Sequence, residues 1–363
     1  VWEICRRLPC GTRALATTNT TQGLEVLEKA ARDPEVTRGG LKLLPRYAPL
    51  DKPSLVAKAV RAVNPRLLVL LESEIWPALI AACREHGART LLANGRMRTR
   101  SLAGYLSAPG VFRSVGPDEV MAMSEADAGR FRALFGADRV SVMPNIKFDR
   151  VDIAAPPAKK DNPVAALLPA KRPFVVLGSV RRQEEADAAA MVQGLLAEAE
   201  GVVVGVFPRH MERVEAWAGR LDATGVDWTR RSALEGPAPP GTAILWDAFG
   251  ELGNAYFAAD AAFVGGSLAP LGGQNFLEPL TAGLRPVIGP HWDNFRWVGD
   301  ELMDSGLVRV AADRHEALAR LLGELAQRRD KRAVRGAAKV YVESRRGGAT
   351  AVAERIAARL DCA

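Results

Sequence analysis

Short unbroken runs of valine, leucine and alanine alternate with helical stretches along most of these 363 residues. The runs cover 67–71, 90–93, 119–123, 140–143, 174–178, 202–207, 243–246, 261–264 and 286–288. Helical stretches fall between them at 77–86, 125–135, 184–199, 211–221 and 251–259. A strand that is apolar at every position has no wet face, so both of its sides must be covered. Strands and helices in alternation then predict parallel sheets layered by helices, the α/β class. The chain exceeds the ~250–300 residues at which one core stops growing, so two domains are expected. The most polar stretch, 152–169, carries Pro156-Pro157, Lys159-Lys160 and Pro163. It predicts a linker at 155–169 between domains 1–154 and 170–363. Two such Rossmann-like halves place a ligand cleft between them, at the carboxyl ends of their strands. The last stretch, 328–360, is rich in Ala, Arg and Glu and reads as helices closing the second domain, with a return to the first as the alternative. The chain opens on Val1-Trp2 into what reads as a helix, so upstream material is expected to be missing.

Charge narrows the partner. A net charge of +7 and a pI near 9.4 favour something anionic: a nucleotide, a phosphorylated lipid or a membrane surface. Aromatics are only 6% and do not interleave with the basic residues, which argues against nucleic acid. Cys5, Cys10, Cys83 and Cys362 form no C-x-x-C pair, and His86, His210, His291 and His315 are scattered. That spacing points to no metal site and to a reducing compartment. No run of 18 apolar residues and no signal peptide is visible.

The richest motif is the run from Gly265 to Pro279, between the apolar run 261–264 and a helix predicted to start at Leu277. Its glycines let the backbone turn tightly and approach a ligand. A helix start offers free N–H groups to a phosphate. Asn275 and Glu278 are three apart, so one could bond a ribose hydroxyl while the other caps N–H groups. A purely structural loop is the alternative.

Other strand ends carry polar turns too. Glu72 and Glu74 share one side of the segment after 67–71, facing a cleft or capping the helix that Pro77 opens. Arg96, Arg98 and Arg100 make a basic loop after Asn94-Gly95. Lys147, in Asn145-Ile146-Lys147-Phe148-Asp149, could neutralise an anion. Ser179 ends one strand of the second half and can bond a ligand oxygen. Pro208-Arg209-His210 ends the next, with Arg209 placed as a phosphate clamp. The turn from Asp247 through Phe249, Gly250 and Glu251 offers backbone N–H groups, and Gly289-Pro290-His291 ends a further strand.

Taken in order, these motifs resemble those of the 3-deoxy-D-manno-octulosonic acid (Kdo) transferases of lipopolysaccharide synthesis. Leu71 to Pro77 is similar to E-T-E-L-W-P, and Asn94 to Tyr105 to N-A-R-x-S-x-R-S-x-x-G-Y. Lys147-Phe148-Asp149 is similar to S-L-K-F-D, Asp247 to Leu252 to D-T-M-G-E-L, and 263–279 to F-V-G-G-S-L…G-G-H-N-P-L-E. The resemblance implies a metal-independent GT-B glycosyltransferase that uses CMP-Kdo. It implies CMP bound through Pro208, Arg209, Phe249, Gly250, Glu251, Asn275, Phe276, Leu277 and Glu278, to which Ser179 is added from its place at a strand end. It implies transition-state stabilisation by Glu72 and Lys147, and a phosphorylated lipid A precursor (lipid IVA) as acceptor at the cytoplasmic face of the inner membrane.

Two departures accompany it. Gln274 stands where the family has histidine. The family's S-V-G-E turn after its first strand, which carries the catalytic base, and the apolar anchor before it have no match here; Glu3 lies inside the opening helix. The expectation is a chain peripheral to the membrane, lacking its first strand, that binds CMP and transfers sugar poorly. The alternatives are another GT-B nucleotide-sugar enzyme, or a nucleotide-binding protein without transferase activity.

Overall fold

A computed structural model describes residues 1–73, 75–153, 155–327 and 330–361. The chain divides into two compact units, Val1–Arg150 with Arg345–Ala363, and Val151–Ser344.

The first unit holds six strands: β1 (Arg13–Thr18), β2 (Lys42–Tyr47), β3 (Leu67–Leu71), β4 (Arg89–Gly95), β5 (Glu119–Ala122) and β6 (Val140–Val142). All pairings are parallel, in two separate sheets ordered β1-β2 and β3-β4-β5-β6. The apolar runs correctly placed the second sheet. They did not reveal β1 and β2, whose Ala/Thr alternation and Pro45 give no unbroken apolar stretch. The opening helix, Trp2–Cys5, is a single turn.

The final helix, Gly348–Asp361, packs in this unit. This corrects its assignment to domain 170–363. Ala349, Val352 and Ile356 are buried against Leu91, Ala93 and Met121 of the sheet. Asp149 accepts hydrogen bonds from the Gly347 and Ala349 amides, both at 2.7 Å, and so caps the helix start. Arg355 and Arg359 reach Glu119 at 2.9 and 2.7 Å.

The second unit is built on one parallel sheet of seven strands: β7 (Phe174–Val180), β8 (Val203–Pro208), β9 (Trp228–Arg230), β10 (Ala243–Leu245), β11 (Ala261–Val264), β12 (Val287–Ile288) and β13 (Arg309–Val310). Their order is β13-β12-β11-β7-β8-β10-β9. Val175 and Leu177 bury against Met191, Leu195 and Trp217 on one face. Phe174 and Val176 bury against Trp246 and Tyr256 on the other. Two covered faces explain the unbroken apolar runs. Strand order reverses at β7, with β8 on one side and β11 on the other; ligands of open α/β sheets sit beside such a switch point.

The stretch 155–169 is not only a linker. Val164 and Leu167 are core residues of the second unit, and buried Asn162 donates to the Asn254 carbonyl at 2.9 Å.

Candidate functional site

In the second unit the ends of four neighbouring strands, β11, β7, β8 and β10, meet at one edge of the sheet. At the centre, β7 loses register with β8 between Leu177 and Val180. Ser179 sits in that irregularity with φ 55°, a left-handed conformation uncommon outside glycine. A Cβ on Gly265 would stand 2.7 Å from the Ser179 carbonyl oxygen, so only glycine lets the two strand ends approach this closely.

Pro208 closes β8 and places Arg209 just beyond it, with the Arg209 amide donating to the Val180 carbonyl at 2.9 Å. The Arg209 side chain is exposed and has no ion-pair partner among the described residues. It lies close enough to Glu278 to act on it electrostatically.

Glu278 is exposed by area, yet the atoms packed around its carboxyl partly desolvate it. Desolvation raises its carboxyl above the usual range, while the Asn275 hydrogen bond and the Arg209 charge pull it back down. Asn275 donates to Glu278 at 2.8 Å and accepts from the Leu277 amide at 3.2 Å. Asn275 and Glu278 therefore form one unit, as their spacing predicted. Phe276 and Leu277 are buried, and Phe276 lies among Trp292 and Phe295 with ring centroids 6.4 and 5.0 Å away. Their side chains are therefore core residues.

The turn after β10 is held by its carboxylates. Asp247 accepts from the Ser232 amide and hydroxyl at 2.9 and 2.5 Å. Glu251 accepts from Arg231 twice at 2.9 Å and from the Trp246 indole at 2.7 Å. Burial alone would raise the Glu251 carboxyl, but these partners hold it below the usual range. Between them Phe249 is 82% exposed and Gly250 takes φ 84°. The Phe249 and Gly250 amides have no acceptor among the described residues.

Three amides of the glycine run are already taken. Those of Gly266, Ser267 and Leu268 all donate to Glu184, which is fully buried. Gln274 is half-buried beside Gly266. Sequence reasoning passed over Glu184. The available signal was two consecutive acids, Glu184-Glu185, entering a helix of alanines and apolar residues.

In the first unit, Glu72 follows β3 with φ 60°. Its amide donates to Ala93 at 3.0 Å and its carbonyl accepts from Arg96 at 3.1 Å, which pins it to β4. Its carboxylate meets the Lys147 ammonium at 3.0 Å, with the two side chains 43% and 36% exposed. A solvated pair contributes ~0–1 kcal/mol. A left-handed non-glycine residue costs about 1–3 kcal/mol. The arrangement is therefore not there for stability.

Asn94, also left-handed at φ 52°, is buried and accepts from the Ile146 amide at 3.1 Å. Asn145 accepts from the Lys147 amide at 3.0 Å. Together they aim the Lys147 turn, while Phe148 is buried and Asp149 serves as a cap. Arg98 and Arg100 are exposed, and with Arg96 they have no ion-pair partner among the described residues. Glu74 lies outside the described residues.

The chain is similar to known proteins over most of its length. A family model described as 3-deoxy-D-manno-octulosonic-acid transferase (kdotransferase) matches residues 2–150. The 3-deoxy-D-manno-octulosonic acid transferase of Bordetella pertussis is 33% identical over 307 residues, 83% of this chain and 71% of that protein. The enzyme of the same name from Haemophilus influenzae is 29% identical over 289 residues, 79% of this chain and 67% of that protein. The solved structure of a Rickettsia africae glycosyltransferase shares the GT-B fold, with TM-score 0.58 at 11% identity over 96% of this chain and 91% of that one.

Proposed function

Because the chain belongs to the Kdo transferase family of glycosyltransferases, we propose that it moves Kdo from CMP-Kdo to a phosphorylated lipid A precursor, lipid IVA. One observation carries the donor half of this reading. Four adjacent parallel strands bring Asn275 and Glu278, Ser179, Arg209 and the 249–251 amides to a single edge of the second unit. Arg209 offers a planar fork to the CMP phosphate. Asn275 and Glu278 bond the ribose, and the turn at Phe249–Glu251 reads the base or phosphate through its amides.

Kdo leaves CMP through a cationic, oxocarbenium-like state, and a base must take the acceptor hydroxyl proton, a step typically worth ~10²–10⁴-fold; none of the residues named above is assigned that part. Lys147 and Arg209 offset negative charge on donor and leaving group, and Glu72 orients Lys147. The chemistry needs no metal in this reading. The net charge of +7 and the basic loop of Arg96, Arg98 and Arg100, which have no ion-pair partner among the described residues, suit an acceptor at an anionic membrane surface, which we place at the cytoplasmic face of the inner membrane. Among the described residues no helix is long and apolar enough to cross a membrane.

Calorimetric titration with CMP against UDP tests the donor, and mass spectrometry of lipid IVA incubated with chain and CMP-Kdo tests transfer. Tighter binding of CMP than of UDP is expected, with only a small fraction of the lipid gaining the Kdo mass. Equal affinity for both nucleotides would remove the donor assignment, and an unmodified lipid would remove the acceptor assignment.

A further inference from the structure

One carboxylate holds the loop after β11 from within. Glu184 accepts from the Ser267 and Leu268 amides at 2.8 and 2.7 Å, from the Gly266 amide, and from the Arg181 amide at 3.4 Å. Successive amides converging on one point make an anion-binding concavity. Here the anion is built into the chain.

A line of hydrogen bonds runs from this anchor to the ligand-facing residues. The Gly273 amide donates to the Gly266 carbonyl at 2.6 Å, and the Gln274 amide to the Gly265 carbonyl at 3.0 Å. The residue before Asn275 is thereby registered against the segment that Glu184 grips. Ser267 Oγ donates to the Val264 carbonyl at 2.6 Å and accepts from the Gly289 amide at 2.8 Å, which adds the end of β12. Arg181 directly follows Val180, whose carbonyl receives the Arg209 amide. Glu184 thus stands where the ends of β7, β8, β11 and β12 are joined.

We propose that Glu184 is the positioning residue of the donor site, an internal counter-anion that sets Asn275 and Glu278 for CMP-Kdo. The proposal rests on the donor reading above. Glu184 is buried beneath the loop and acts only through it. Because its carboxylate fills the concavity, the donor phosphate is turned away from Gly266–Leu268 and toward Arg209. A glutamine there would offer one acceptor oxygen and set an NH2 against amide donors.

The test uses the full chain with three substitutions, Glu184→Gln, Ser267→Ala and Glu185→Gln. Glu185 is equally buried but pairs with Arg213 and Arg220 at 2.7 and 3.1 Å, away from the loop. CMP is titrated by calorimetry, and amide exchange is followed across 265–278. Glu184→Gln should weaken CMP by about tenfold or more, since small misplacements of binding groups are amplified, and should speed exchange at 275–277. Ser267→Ala should weaken CMP about threefold through one lost hydrogen bond. Glu185→Gln should lower the melting temperature yet keep CMP affinity at the wild-type level. Wild-type CMP affinity in Glu184→Gln, or an equal loss in Glu185→Gln, overturns the proposal. If Glu184→Gln does not fold, unchanged affinity and exchange in Ser267→Ala overturn it. If the wild-type chain binds no CMP, the donor reading fails, and exchange decides alone: unaltered protection at 275–277 in Glu184→Gln excludes the positioning role.

Discussion

Replacing Arg209 by alanine separates a binding residue from a structural one. Its guanidinium is exposed and its amide bond to Val180 belongs to the backbone, so the substitution removes no side-chain hydrogen bond or ion pair among the described residues. Surface changes of this kind move stability by ~0.5 kcal/mol or less. A charge-assisted hydrogen bond to a ligand is worth about 1.5–3 kcal/mol. At ~1.4 kcal/mol per factor of ten, CMP affinity should fall roughly 10- to 150-fold, nearer the lower figure because the site is open to solvent. Arg209→Lys keeps the charge but not the fork and should fall between, about three- to fivefold weaker. Removing the cation also takes away one of the two influences that lower the Glu278 carboxyl, so that group should titrate higher still. Calorimetry at two salt concentrations, with thermal melts of the free protein, reads all three effects. Affinity unchanged within twofold, or a melting loss matching the affinity loss, would refute the reasoning.

Three further outcomes are expected. Glu72→Gly should relieve the left-handed strain and raise stability by about 1 kcal/mol or less, after allowing for the flexibility glycine adds to the unfolded chain. The same change should depress Kdo transfer by ~100-fold or more, and a protein that melts lower than wild type would contradict the strain assignment. Glu278 has a folded-state carboxyl raised by burial, so the native state holds its proton more tightly than the unfolded state. Its contribution to stability is present at low pH and lost as pH rises through the folded value. Glu278→Gln should therefore melt above wild type at pH 7, with the advantage fading toward pH 4, while binding CMP more weakly; a pH-independent difference would count against this. Asp149→Ala removes both acceptors at the start of the helix Gly348–Asp361 and should cost ~1–2 kcal/mol in denaturant titration, whereas a shift under ~0.3 kcal/mol would show that the cap is idle.

Much of the second unit was legible because its strands are covered on both faces. Val175, Val176 and Leu177 are all buried, and such runs declare a parallel sheet without any partner being known. The candidate residues were chosen for a related reason: each lies after a run, where parallel topology puts its loops. The family likewise emerged from motif order and is borne out by the relatives. What stayed hidden depended on contacts remote in the chain. Glu184 meets the Leu268 amide across 84 residues, and the acid pair Glu184-Glu185 shows that a carboxylate enters an apolar helix but not which amides it meets. The glycine run looked like a phosphate loop because its spacing is the same whether the anion is a ligand or a side chain. β1 escaped because alternating small residues mimic a solvated segment, and β2 because Pro45 and its charged residues break the apolar run. The final helix was misassigned because its composition says that it packs, but not where.

That helix has a consequence for how the protein is made. The first unit is written in two places, with the whole second unit between them. During synthesis the whole second unit is translated before the first receives the segment 345–361 that packs on its sheet. A premature stop near residue 345 would therefore spare the neighbouring unit and injure the distant one. Any attempt to produce the first unit alone must splice residues 345–361 directly onto residue 150.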